Sequence, residues 1–347
     1  MIFSTSSMLH AVALSLLYIT AATARVFQIP NTPYDGGSVA QFKSSIGKLD
    51  GQKVTPWPNQ TSFEWWYFDV ASTSSSNESI IVTFYQSTPE AFFGARNDSF
   101  LSASVVGTYK NGSVFVFYPH LSETASVTVD VGLNDVAATW GDTGIGFEGS
   151  GILGRRAKYL IAIDNPELGL QGSITYQARA QAHYPCTAKL SFASERIVPN
   201  VGWANAVPDA EAKVELKVRG EAISFEGSGY HDKNWGDKPF VDTVDSWYWG
   251  HAVLGAYSVV WFDAVGVDGK EYVSGYVSKN GRVMQASCKP GVVNVRPYGG
   301  NDRYPPVKSL DYPEGFTIYF DLGHTGKLRV NARQSVVLMA KDLRGSQ

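Results

Sequence analysis

The chain has 347 residues, 44% of them apolar and 13% aromatic, with 29 Lys+Arg against 32 Asp+Glu for a net charge of −3. Such a balance lacks the basic stripe that nucleic acid requires. After the first residues no segment reaches the length of a membrane-spanning helix, so no membrane span is expected.

The chain opens with an apolar run over residues 8–22, and Ala22-Thr23-Ala24 gives the small-x-small pattern that signal peptidase cleaves, here before Arg25. Residues 1–24 are therefore read as a signal peptide, and the product as a protein of the secretory pathway or the extracellular space. Four N-glycosylation acceptors, Asn59, Asn77, Asn97 and Asn111, fall in polar, turn-like contexts and suggest one glycan-bearing flank. In an oxidising compartment the two cysteines, Cys186 and Cys288, are either one disulfide or two buried thiols.

From residue 63 onward nearly every apolar segment alternates with period two or is a short β-branched run, as in 80–85, 113–117, 126–131, 159–163, 213–218, 257–262 and 316–320. Between them sit hairpin signals such as Asp268-Gly269 and Asn280-Gly281. No window sustains a helical stripe, so the expected fold is all-β. The block Trp65-Trp66-Tyr67-Phe68 and the block Trp247-Tyr248-Trp249-Gly250 are each followed by a strand, at offsets that a tandem of two β-domains would produce and that two unrelated aromatic strands would also give.

Adjacent Trp65 and Trp66 point to opposite faces of a strand, so both faces must be covered, with Glu64 on the face of Trp66 and Phe68. A carboxylate there either ties down a loop or has a raised pKa. In Tyr230-His231-Asp232-Lys233-Asn234-Trp235-Gly236, alternation puts Tyr230 and Asp232 on one face and His231 and Lys233 on the other. The Tyr230 phenol beside the Asp232 carboxyl is a candidate proton donor and acceptor pair. Trp249 shares a face with His251, and Trp261 with Asp263. These aromatics can be cavity walls or simply core. Metal-ligand spacing, a phosphate-binding glycine loop and a nucleophile elbow are all missing from the sequence, so no cofactor is expected.

The Glu64-Trp65-Trp66-Tyr67-Phe68, Tyr230-to-Gly236 and Trp247-Tyr248-Trp249-Gly250-His251-Ala252 blocks, in this order, resemble the two-domain lipocalin-like superfamily of carotenoid 1,2-hydratases (hydroxyneurosporene synthases), whose fungal branch includes Diels-Alderases. The resemblance implies two lipocalin-like β-barrel or β-sandwich domains in tandem, over 25–238 and 239–347, with a ligand cavity between or within them. In the hydratase branch a Tyr-x-Asp pair performs proton chemistry, and Tyr230 and Asp232 match it. The leader, the sequons and the Trp-Tyr-Trp-Gly-His block direct the reading away from carotenoid hydration. They direct it toward a cofactor-free pericyclase of fungal secondary metabolism that joins a tropolone quinone methide to a humulene-type sesquiterpene by an inverse-demand hetero-Diels-Alder reaction. The alternatives are an intramolecular Diels-Alderase that closes a polyene polyketide to a decalin, and a non-catalytic carrier of apolar metabolites. On this reading Asp232, Tyr230, His231 and His251 are the acid/base candidates. Glu64, Trp65, Trp66, Tyr67, Trp235, Trp249, Trp261 and Asp263 contact an apolar polyketide or terpenoid substrate.

Overall fold

The computed structural model describes residues 25–44, 49–74, 76–122, 126–132, 134–307 and 312–333. The expected signal peptide lies outside the described residues. Among them the only helical elements are three single 3-10 turns, Gly141–Thr143, Phe240–Asp242 and Gly323–Thr325, and the architecture is otherwise β-strand. Among the described residues no helix is long and apolar enough to cross a membrane.

A 13-stranded antiparallel sheet takes up the chain from Arg25 to Gly236. It runs from Arg25–Pro30 and Ser126–Val131 through the long hairpin Val201–Val218 and Glu221–Gly236 to Phe63–Ser72, Ser79–Gln86, Leu101–Thr108 and Val114–Phe117. Ile29 and Val127 at one end share a core with Phe115 and Phe117 at the other. A flat sheet of this many strands, spaced about 4.8 Å apart, could not bring its ends together, so the sheet curls around that core.

Two smaller antiparallel sheets follow, one of Val244–Leu254, Tyr257–Gly266, Glu271–Lys279 and Arg282–Ser287, the other of Val293–Tyr298, Gly315–Asp321 and Lys327–Arg333. The four-stranded sheet is covered on both sides. Val260, Phe262 and Ala264 meet the outer face of the large sheet, while Val259 and Trp261 pack with Val293, Val295 and Ile318 of the three-stranded sheet. This explains why Tyr257–Gly266 is almost continuously buried instead of alternating.

The inner core of the large sheet holds ions. Glu64 accepts hydrogen bonds from the backbone N–H groups of Lys53 (2.7 Å) and Val54 (3.0 Å) and from Gln52 Nε2 (2.7 Å), and is ion-paired with Lys233. The Lys233 ammonium also lies 3.1 Å from the centre of the Trp66 ring. Burial pulls the Lys233 pKa down to about 8 although Glu64 opposes the shift. Both expectations for Glu64 are met: it fixes the segment around Lys53 to the sheet, and burial raises its pKa although Lys233 opposes the shift.

Cys186 and Cys288 form a disulfide. Cys186 lies beyond Leu170–Ala178 of the large sheet and Cys288 directly after Arg282–Ser287 of the four-stranded one, so the bridge staples the two sheets together. Hydrogen bonds from Tyr276 OH to the Gln181 carbonyl (2.9 Å) and from Ser258 Oγ to Asp209 Oδ2 (2.6 Å) lie along the same seam. The side chains of Asn77, Asn97 and Asn111 are exposed, whereas that of Asn59 is half-buried and donates to the Gly36 carbonyl (3.0 Å).

Two stability outcomes follow. Replacing both cysteines by serine opens a loop spanning 102 positions, and denaturant unfolding is expected to show a loss of about 2–5 kcal/mol. Glu64→Ala leaves the buried Lys233 ammonium without its ion-pair partner, and the same measurement is expected to show a loss of about 3–5 kcal/mol.

Candidate active site

The strand Phe63–Ser72 lies between Glu221–Gly236 and Ser79–Gln86, and Leu101–Thr108 flanks the latter, so side chains on the outer face line up in rows across four strands. One row is Tyr230, Asp69, Ile81 and Val106; the next is Asp232, Tyr67, Thr83 and Ser104; the third is Asn234, Trp65, Tyr85 and Ser102. Apart from Tyr230, Asp69 and Ser102, these side chains form the floor of a cavity of about 200 Å³ whose opposite wall is Trp247, Trp249 and Phe262 of the four-stranded sheet. Phe92, stacked 4.1 Å from Trp65, and Phe240 close one end.

Asp232 is the buried carboxyl on this floor. Its Oδ2 accepts from Trp203 Nε1 (2.8 Å) and from Tyr230 OH (2.8 Å). The Tyr230 oxygen in turn accepts from Asn205 Nδ2 and from Trp249 Nε1 (3.2 Å), which leaves its own proton to Asp232. Asn205 reaches this position because the register of Val201–Val218 shifts on either side of Val207, next to Pro208, which has no N–H for the ladder. Burial raises the Asp232 pKa to about 6, against the opposing pull of the Trp203 and Tyr230 hydrogen bonds. With both donors on Oδ2, the carboxyl proton resides on Oδ1, which makes no hydrogen bond within the site.

A second polar pair adjoins the first. His251 Nε2 lies 2.9 Å from Asp69 Oδ2, which also accepts from Tyr67 OH (3.0 Å), and the His251 ring stacks 4.1 Å from that of Tyr230. Burial alone would lower the His251 pKa, but the Asp69 carboxylate outweighs it and the net shift is upward. The intervening Gly250 faces the other way, beneath Trp261, where a Cβ would come within 2.3 Å of the indole. Any larger residue there would displace Trp261 or twist the strand that carries Trp249 and His251.

The structure thus brings Asp232, Trp65, Tyr67 and Trp249 together around one cavity, with Tyr230 bonded to Asp232 and His251 stacked on Tyr230 beside its lining. It places the other residues expected there elsewhere. His231 points into the inner core, with Nδ1 donating to the Tyr67 carbonyl (2.9 Å) and Nε2 2.8 Å from Asp50 Oδ2, and its ring stacks on Phe68. Glu64, Trp66 and Trp235 share that inward face, and Trp235 Nε1 donates to the Gln41 carbonyl (2.6 Å). Trp261 and Asp263 lie on the far face of the four-stranded sheet. There Asp263 accepts from the Val295 N–H (2.8 Å) and from Arg296 Nη1 (3.0 Å). The reason is the strict period of two, which sends neighbouring residues to opposite cores.

Several residues of the site, lining the cavity or bonded to its polar groups, escape a reading of the sequence. Asp69 could have been found, since it continues the Trp65 and Tyr67 face. Trp203, Asn205, Phe92 and Phe240 could not, because their places depend on a bulge, a loop and a 3-10 turn. Among the described residues no three His, Cys, Asp or Glu side chains are grouped to hold a metal ion.

A family model described as Diels-Alderase-like matches residues 36–303. The chain is 35% identical over 331 residues to the quinolone epoxide rearrangement protein asqO of Emericella nidulans, covering 94% of this chain and 89% of that protein. It is 25% identical over 274 residues to the Diels-Alderase poxQ of Penicillium oxalicum, covering 77% of this chain and 59% of that protein. Among solved structures, the crystal structure of CghA with Sch210972 superposes with a TM-score of 0.70 at 17% identity, covering 92% of this chain and 88% of that one, a likeness of fold.

Trp203→Phe removes a hydrogen bond that favours the ionised Asp232 carboxylate, so the Asp232 pKa is expected to rise above its value of about 6. A carboxyl titration followed by infrared difference spectroscopy checks the direction.

Proposed function

Because the chain belongs to the Diels-Alderase-like family, we propose that it is a cyclase or rearrangement enzyme of small-molecule biosynthesis, and that its reaction is the acid-promoted rearrangement of an epoxide on a single apolar, aromatic-bearing substrate. The observation that carries this reading is Asp232, a carboxyl of pKa about 6 with an unengaged Oδ1, set in an aromatic cavity. A carboxyl that remains partly protonated near neutrality can deliver a proton, whereas an ordinary aspartic acid is fully ionised there.

Asp232 Oδ1–H gives its proton to the epoxide oxygen as the bond from oxygen to the more substituted carbon breaks, and the electron pair of that bond stays on oxygen. The faces of Trp65, Tyr67 and Trp249 surround the cation left on carbon and stabilise it. A substituent then migrates with its electron pair from the carbinol carbon to the cationic one. The protonated carbonyl so formed returns its proton to the Asp232 carboxylate. The step is an isomerisation, with no co-reactant consumed. The His251–Asp69 pair supports Tyr230 from behind by ring stacking.

The tropolone hetero-Diels-Alder reading calls on the same acid, there to release a hydroxyl and generate the quinone methide, and the decalin reading needs only the shaped walls. A cavity of about 200 Å³ is small beside the roughly 300–1,000 Å³ of common ligand sites, and this favours a reaction within one molecule over the joining of two. A carrier has no use for a desolvated carboxyl whose burial disfavours ionisation.

The test is to incubate the protein with an aromatic lactam bearing an epoxide side chain and to follow its isomerisation to a carbonyl product. Asp232→Asn is expected to lower kcat by ~10²-fold or more. Since Asp232 is protonated below about pH 6 and ionised above it, kcat/KM is expected to fall about tenfold per unit at higher pH. An unchanged rate in Asp232→Asn would sink the assignment. Formation of a dihydropyran adduct from a quinone-methide precursor and a cyclic sesquiterpene alkene, with the epoxide left untouched, would replace it with the hetero-Diels-Alder reading.

A further inference from the structure

Every residue that lines the cavity lies on a β-strand except Phe92 and Phe240. Walls carried by strands are held by the ladders on either side, whereas a wall carried by a connection can change without disturbing a sheet. Phe92 belongs to the connection between Ser79–Gln86 and Leu101–Thr108, and Phe240 to the 3-10 turn that follows Glu221–Gly236. A backbone hydrogen bond from the Phe240 N–H to the Ala91 carbonyl (2.8 Å) joins the two into one end wall.

The connection is folded so that the Phe92 ring comes to rest on Trp65. Thr88 Oγ1 donates to the Gln60 carbonyl (2.7 Å) and accepts from the Ala91 N–H (3.1 Å), while the Phe92 N–H donates to the Thr88 carbonyl (3.0 Å). Gly94 leaves room for the ring, since a Cβ there would lie 2.5 Å from Phe92 Cε1. The buried ring stacks on the Trp65 indole with centroids 4.1 Å apart and planes 26° from parallel, and it meets Phe240 edge-on at 5.6 Å. This is the geometry that a flat aromatic ligand would adopt on the same indole. Trp65 stands two residues, about 7 Å along the strand, from Tyr67 in the row of Asp232. A stop over Trp65 therefore limits how far a flat ligand can extend from the carboxyl.

We propose that Phe92 is a specificity-determining residue, an end stop whose ring occupies the place over Trp65 that a further aromatic ring of a ligand would take. The length of the flat body that the cavity accepts is then set by one side chain on a connection, and Gly94 acts as the positioning residue that lets the stop close. The proposal rests on the reading of the cavity as the substrate site, and it assigns to Phe92 a selecting role separate from the acid role of Asp232.

The experiment is equilibrium dialysis of the full chain with two probes, 2-naphthol and 2-anthrol, which carry the same hydroxyl and differ by one fused ring. The unmodified protein is expected to bind 2-naphthol more tightly, because the third ring of 2-anthrol meets Phe92. Phe92→Ala is expected to tighten 2-anthrol binding about tenfold, the factor given by burying roughly 55 Å² more apolar surface. The same variant is expected to leave 2-naphthol within about threefold, so that the ratio of the two affinities moves toward the longer probe. Phe92→Leu keeps an apolar contact with Phe240 and serves as a second variant if the first does not fold, with a smaller change in the same direction. An unchanged ratio, or an equal gain or loss of both probes, would overturn the stop while leaving the cavity as the binding site. Binding of neither probe by the unmodified protein or by either variant would overturn the reading of the cavity and the stop with it. No turnover is measured, so the result is independent of whether Asp232 acts as an acid.

Discussion

A single antiparallel ladder, running from Phe63 opposite Gly236 to Ser72 opposite Gly227, holds the two wings of the large sheet in register. Both of its faces are buried, one in the inner core of the curled sheet and the other against the four-stranded sheet. Period-two alternation along the two strands therefore distributes every side chain between structure and site. Trp66, Phe68, His231 and Trp235 go inward, and Trp65, Tyr67 and Asp232 go to the cavity, with Tyr230 on the same face. A slip of one residue in this ladder would exchange the two sets, bringing Lys233 to the cavity and carrying Asp232 into the ionic core.

The same ladder carries two buried carboxyls with different tasks, and their surroundings set the difference. Glu64 faces an ammonium, two backbone N–H groups and an amide, donors that anchor a loop and oppose, without cancelling, the upward push of burial on its pKa. Asp232 has only the neutral Trp203 and Tyr230 donors, which moderate the effect of burial without cancelling it, so it titrates near neutrality. The tyrosine that bonds Asp232 is itself held by Asn205 and Trp249, one from each sheet, so the orientation of the acid depends on the two sheets staying together. The Cys186–Cys288 bridge and the hydrogen bonds along its seam maintain that arrangement.

Aromatic content serves both cores, which is why aromatic clustering alone could not separate wall from filler. Trp140 and Phe147 pack with Trp66 in the inner core, and Trp65, Phe92, Phe240 and Trp247 form a comparable cluster around the cavity. The second cluster becomes a site because it encloses a cavity and the Asp232 carboxyl interrupts its apolar lining. Apolar walls with few polar points orient a ligand without binding it indiscriminately.

By itself the sequence determined the all-β fold, through short alternating segments and hairpin dipeptides, and it determined which neighbours share a face: Tyr230 with Asp232, Trp249 with His251, and Trp65 opposite Trp66. It also carried the three ordered blocks by which the family is recognised. Alternation fixes the relative orientation of residues on one strand but not which face meets the ligand, because that depends on what packs against the strand from far along the chain. His251 approaches Asp69 from 182 positions away, Asp50 approaches His231 from 181, and Trp203 reaches Asp232 through a long hairpin. Only the tertiary structure could therefore place Glu64, Trp66, His231 and Trp235 in the inner core, turn Trp261 and Asp263 to the far sheet, and bring Trp203, Asn205 and Asp69 to the site. These placements arise from sheet-on-sheet packing and a register shift beside a proline, neither of which has a local signature in the chain.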